Sequence, residues 1–104
     1  MVQAVFERKN GRLRSFSVDN HAGYGEEGED IVCAAVSSAV QLTANGITEI
    51  LGAAVEVKVD SHISLSLEDT ADDCAQYFME ALLLQLTILQ EDYPEHVAVS
   101  RRGS

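Results

Sequence analysis

The apolar residues of this 104-residue chain change their spacing four times, and that switching restricts the fold more than any other feature. Val2, Ala4 and Phe6 alternate with Gln3 and Glu7, the period of two that marks a half-buried strand. Asn10-Gly11 offers positive φ at two consecutive positions, the signal for a tight hairpin, and Leu13 to Val18 then returns as a second strand. From Ile31 to Asn45 the apolar positions Val32, Ala35, Val36, Ala39 and Leu42 fall at helical spacing, with Asp30 as the expected N-cap and Asn45-Gly46 as the expected stop. The interspersed alanines and serines suit close packing against a sheet. Val55, Val57 and Val59 alternate again, and Ile63, Leu65 and Leu67 form their expected hairpin partner.

A second helix is expected from Thr70, with Asp73 closing a variant capping box and Ala75, Phe78, Met79, Leu82, Leu83, Leu86 and Leu89 as its apolar stripe. Pro94 bars its continuation, and Val97 and Val99 suggest a last strand. The order is therefore β-β-α-β-β-α-β. It predicts an α+β domain, residues 1–104, with two helices on one face of a mostly antiparallel sheet. Open sheet edges in so small a domain point to a homodimer.

Composition narrows the partners. Seven Lys+Arg against seventeen Asp+Glu leave a formal charge of −10. That charge disfavours nucleic acid and anionic membrane surfaces and favours a basic partner. No apolar run is read as approaching the roughly 20 residues of a bilayer span. The N-terminus lacks a signal peptide's basic start and apolar core, so the expected compartment is the cytoplasm. Acids cluster at Glu26, Glu27, Glu29, Asp30 and at Glu68, Asp69, Asp72, Asp73. Solvated loops and helix starts account for both clusters.

Residues 19–29 read as a turn-rich loop carrying Gly23, Gly25 and Gly28, and chemistry-bearing residues stand at its two ends. With Asp30 as N-cap, Cys33 is expected in the first helical turn. There the dipole and free N–H groups favour a thiolate and can hold an oxyanion. Asp30 opposes this, because a nearby carboxylate raises a thiol's pKa. His21 can take the thiol proton and return it to a leaving amine. The plainer readings are a small buried cysteine and a solvent-exposed loop histidine, and spacing alone does not choose. Ser37, four residues after Cys33, shares its helix face or simply bonds a backbone carbonyl.

Other chemistries fit less well. The stretch GYGEEGED superficially matches a phosphate loop, but no strand ends directly at its first glycine and four acids would repel the phosphate. Zinc wants paired short spacings of Cys or His, which are absent. Cys74 reads as a packing residue, and its pairing with Cys33 is not expected in a cytoplasmic chain. A thiol redox sensor would need Cys74 as resolving cysteine. His62, in a hairpin turn, and His96, after Pro94, have no evident partner in the sequence.

The run from Asn20 to Ser37, NHAGYGEEGEDIVCAAVS, resembles the motif of the ribosomal-processing cysteine proteases, roughly G-H-A-x-x-G-x-x-G-x-D-I-V-C-A-x-x-S. Length, element order and acidity agree along the whole chain, but these eighteen residues carry the specificity. The resemblance implies a cytoplasmic cysteine endopeptidase, usually a homodimer, with no metal or organic cofactor. Its implied substrate is the N-terminal extension of large-subunit ribosomal protein twenty-seven. It assigns the base to His21 and the nucleophile to Cys33, with Asp30 and Ser37 supporting and Asn20, Gly23, Gly25 and Gly28 as loop hinges. Asn20 replaces the family's Gly, and Asn tolerates positive φ better than most residues. The competing expectation is a non-catalytic ribosome-biogenesis module that holds a basic ribosomal protein against its acidic surface.

Overall fold

The computed structural model of the chain describes residues 1–20, 29–53, 55–59, 62–67 and 73–103. Its elements follow the expected order: β1 (Val2–Lys9), β2 (Arg12–Asn20), α1 (Glu29–Asn45), β3 (Val55–Val59), β4 (His62–Leu67), α2 (Asp73–Asp92) and β5 (Val97–Gly103). The strands form one sheet in the order β3-β4-β2-β1-β5. Every pairing is antiparallel except β1 with β5, so the sheet is mixed and the domain is α+β as expected.

Alternation along the strands selects one sheet face for the core. Val2, Ala4 and Phe6 of β1 and Phe16 and Val18 of β2 are buried together with Val32, Val36 and Val40 of α1 and Met79, Leu82 and Leu86 of α2. Phe6 lies opposite Phe16 in the ladder, with ring centroids 5.8 Å apart, a cross-strand aromatic pair at the centre of the sheet. The hairpin between β1 and β2 turns at Asn10 (φ 55°) and Gly11 (φ 78°), as the dipeptide predicted.

The hairpin end of the sheet is secured by a buried amide. Glu7 pairs with Ser15 but Arg8 pairs with Leu13, so Arg14 is the extra residue of a bulge. On the other side of β2 the ladder with β4 reaches only as far as Ser15. Gln76 of α2 takes over at Leu13: its Nε2 donates to the Leu13 carbonyl at 2.6 Å, and its Oε1 accepts from the Leu13 N–H at 2.8 Å. One side-chain amide thus stands in for the next residue of a neighbouring strand and joins helix to sheet. Exposed ion pairs flank it, Arg12 to Asp73 and Arg8 to Glu80, both at 2.7 Å. Pairs this exposed add little stability.

Several sequence expectations are corrected. β2 runs on to Asn20 because Val2 of β1 offers it a partner, so the loop begins later than residue 19. α1 starts at Glu29, which places Asp30 inside the first turn rather than at the N-cap. Asn45-Gly46 does not stop the helix, because a π-helical turn, Gly46–Ile50, carries it onward and buries Ile47. The Leu51 N–H closes that turn on the Gly46 carbonyl at 3.0 Å, and Gly52 (φ 63°) supplies the left-handed residue that ends it.

Gly46 is required for another reason. A Cβ there would stand 2.5 Å from Phe78 of α2, so the glycine lets the two helices touch. Leu42 is exposed, because the inward stripe runs through Val32, Val36, Val40 and Thr43 instead. α2 starts at Asp73, and the expected start at Thr70 lies outside the described residues. Cys74 is exposed rather than packed, on the helix side opposite buried Ala75 and Met79.

The stretch Ile31–Ile50 also has the length and hydropathy of a membrane span, contrary to the sequence reading. Polar Ser, Thr, Gln and Asn interrupt its apolar residues, which hides a run that contains just one charge, Glu49. Here one side of that helix is buried on the sheet.

Replacing Gln76 by Leu should destabilise the domain by about 2–4 kcal/mol, because both backbone groups of Leu13 lose their buried partner. Urea unfolding followed by circular dichroism measures this. Gln85→Leu, at an exposed position of the same helix, should stay within about 0.5 kcal/mol of wild type.

Candidate active site

The central strand β2 delivers the chain to the site. Its last residue, Asn20, pairs with Val2 on one side, while Asp19 pairs with His62 on the other. These ladders fix where the chain leaves the sheet. Residues 21–28, which contain His21, Gly23, Gly25 and Gly28, lie outside the described residues. The chain resumes at Glu29 as the first residue of α1, whose buried valines clamp it on the sheet.

Cys33 is the fifth residue of α1, two positions further in than the N-cap assignment implied. Helical geometry gives its N–H to the Glu29 carbonyl. The N–H groups without intrahelical partners therefore belong to the residues before it, including Glu29, Asp30 and Ile31. They point toward the helix start.

The side on which the thiol opens follows from the rotation of α1. Gly46 faces α2, because a Cβ there would point into the Phe78 ring. Cys33 precedes it by thirteen positions, which at 3.6 residues per turn is roughly 140° around the axis. The thiol therefore lies on the flank turned away from α2. Since α2 packs over β5 and α1 over β2, that flank looks toward the β4 and β3 side of the sheet. Cys33 is half-buried there against the core, and half-buried Ser37 follows one turn later on the same flank. Of the expected site residues, Cys33 and Ser37 are thus brought together. Asp30 shares their helix, and Asn20 ends the strand that leads to it.

The topology gathers the other histidines at this same end, which the sequence did not suggest. His62 opens β4, and His96 immediately precedes β5, whose first residue Val97 pairs with Val2. The His96 carbonyl accepts from the Val2 N–H at 2.8 Å, and its own N–H donates to the Tyr93 carbonyl at 2.9 Å. Its backbone thus ties β5 to the sheet. Among the described residues no three His, Cys, Asp or Glu side chains gather closely enough to hold a metal ion.

Comparison with known proteins bears on the family and the fold. The family model described as Cysteine protease Prp matches residues 1–98. The ribosomal processing cysteine protease Prp of Staphylococcus aureus is 29% identical over 93 residues, 86% of this chain and 88% of its own. A Streptococcus mutans crystal structure superposes with a TM-score of 0.90 at 34% identity, covering 100% of this chain and 96% of that one. The S. aureus protease in complex with a substrate peptide gives 0.89 at 26% identity, with coverage of 97% and 99%. The same enzyme with a covalently linked product peptide gives 0.86 at 27% identity and equal coverage.

If Cys33 is an activated thiol, iodoacetamide at pH 7 should modify it at least ~10-fold faster than Cys74, although Cys74 is the more exposed. Peptide mass spectrometry over a time course reads both rates. A slower Cys33 would mark it as a packing residue.

Proposed function

The chain belongs to the Prp family of cysteine proteases, and from that premise we propose that it removes the N-terminal extension of large-subunit ribosomal protein twenty-seven during ribosome assembly. The observation that carries this reading is the placement of Cys33. It is a half-buried thiol near the start of a helix, reached from the central strand through the segment that contains His21. A relative described as a ribosomal processing protease, captured with a covalently linked product peptide, supports it.

The substrate enters as an extended peptide. His21 takes the proton of Cys33, and the thiolate attacks the scissile carbonyl carbon. N–H groups at the start of α1 stabilise the oxyanion. The C–N bond breaks as His21 returns the proton to the leaving amine, and an acyl-enzyme remains. Water, deprotonated by His21, attacks the thioester and releases the new carboxylate and the thiol. Asp30 and Ser37 support the thiol, and Asn20, Gly23, Gly25 and Gly28 are assigned as hinge residues. The chemistry needs no metal or organic cofactor.

The enzyme acts in the cytoplasm as a homodimer. Its charge of −10 draws a basic ribosomal protein toward it, an attraction that salt weakens.

Incubating leader-bearing ribosomal protein twenty-seven with wild type should release the leader, read by mass spectrometry. Cys33→Ala should lower kcat by at least ~10⁴-fold, and His21→Ala by a comparable factor. Cleavage that survives Cys33→Ala would remove the assignment. Binding by wild type without cleavage would identify a non-catalytic module.

A further inference from the structure

The two ends of the sheet differ in charge. β1 and β2 join at the Asn10-Gly11 hairpin, and β5 runs parallel to β1 and stops at that same end. Arg8 and Lys9 close β1, Arg12 and Arg14 open β2, and Arg101 and Arg102 close β5. Six of the seven Lys and Arg residues therefore gather at the hairpin end, although they come from opposite ends of the sequence. Acids there are held by them, Glu80 by Arg8 and Asp73 by Arg12. The seventh cation, Lys58 of β3, pairs with Glu56 at 3.3 Å.

The other end of the sheet is the working end. Gly46, just past α1, meets Phe78, two residues from the Gln76 that binds Leu13 at the hairpin end, so α1 begins at the opposite end. α2 also runs away from the hairpin and finishes near Val97, whose partner Val2 pairs with Asn20. Six acids are brought there: Asp19 near the end of β2, Glu29 and Asp30 in the first turn of α1, Glu91 and Asp92 at the close of α2, and Glu95 before β5. No Lys or Arg stands among them.

Glu91 and Asp92 oppose a local rule. The last carbonyls of a helix form the negative end of its dipole and favour Lys or Arg, yet the last turn of α2 has no basic residue. Helix stability alone would select the opposite charge. Glu91, Asp92 and Glu95 are exposed and form no ion pair among the described residues. Carbonyls and carboxylates together make a place for a cation that the chain itself does not supply.

We propose that the working end selects substrate by charge, favouring a peptide that carries Lys or Arg close to its scissile bond, with Glu91, Asp92 and Glu95 as the residues that read it. The inference rests on the protease reading above and assigns the attraction to one end of the fold rather than to the total charge. Screening makes the distinction physical. The nine residues of β2 span roughly 30 Å, several times the Debye length of about 8 Å at physiological ionic strength. A peptide near Cys33 therefore responds to the acids of the working end and little to the cations of the hairpin end. Packed helices lie about 10 Å apart, so the close of α2 is within reach of roughly five extended residues of a peptide at the start of α1.

Cleavage of two synthetic peptides tests this. Both share the leader residues around the scissile bond, and one is flanked by lysines where the other has glutamines. Wild type should show kcat/KM at least ~10-fold higher for the lysine peptide at low ionic strength, with similar kcat, and high salt should remove the difference. The variant Glu91→Gln/Asp92→Gln/Glu95→Gln should lose at least ~5-fold of that preference while its kcat on the glutamine peptide is unchanged. The variant Glu7→Gln/Glu49→Gln/Glu56→Gln changes net charge equally but away from the working end, and should keep the wild-type preference within about 2-fold. Equal losses in both variants would overturn the assignment to the working end, as would no loss in either. Equal cleavage of the two peptides by wild type would overturn the charge preference and leave the protease reading standing. Cleavage of neither would remove the protease reading and the preference with it.

Discussion

The rotational setting of α1 governs how the rest of this molecule is arranged. Two contacts fix it. Val32, Val36, Val40 and Ile47 drive one side onto the sheet, and the missing Cβ of Gly46 lets the neighbouring side meet Phe78 of α2. A helix held at two points around its circumference cannot roll. Its remaining sides are thereby assigned: Cys33 and Ser37 to the flank away from α2, and Ile31 and Leu42 to the outside. A side chain at position 46 would meet the Phe78 ring, so either that ring or the helix would have to shift.

The two ends of the sheet divide the work. At the hairpin end, Gln76 replaces a missing strand neighbour for Leu13 and locks the start of α2 against β2. At the other end the chain leaves Asn20 to enter the segment with His21, and the start of α1 waits beside it. Val2 joins the sheet together at the working end, since it pairs with both Asn20 and Val97. Registers so closely coupled fix where β2 ends.

Net charge takes on a more specific meaning once distributed over this fold. Sixteen of the seventeen acids lie outside the stretches Ile31–Thr48 and Cys74–Gln90 that form most of the helical layer, and the exception, Glu80, is paired with Arg8. An acidic exterior attracts a basic protein substrate from a distance.

The sequence by itself determined the class of fold, the hairpin at Asn10-Gly11 and the family, because these depend on local periodicity, on φ at two residues and on one contiguous motif. It also marked Cys33 as the thiol of interest. It misplaced the end of α1, since a glycine after asparagine reads as a stop when nothing shows that Phe78 needs the space. It assigned Leu42 to the core, since Leu42 and Val40 look equally apolar until the sheet selects which side is buried. Gln76 gave no signal, because a polar residue in a helix is ordinarily solvated and its partner lies 63 residues away. The tertiary structure decided the flank on which Cys33 opens, the mixed strand order and the helical face left uncovered. Each depends on contacts between residues far apart in the chain, and local pattern carries no record of those.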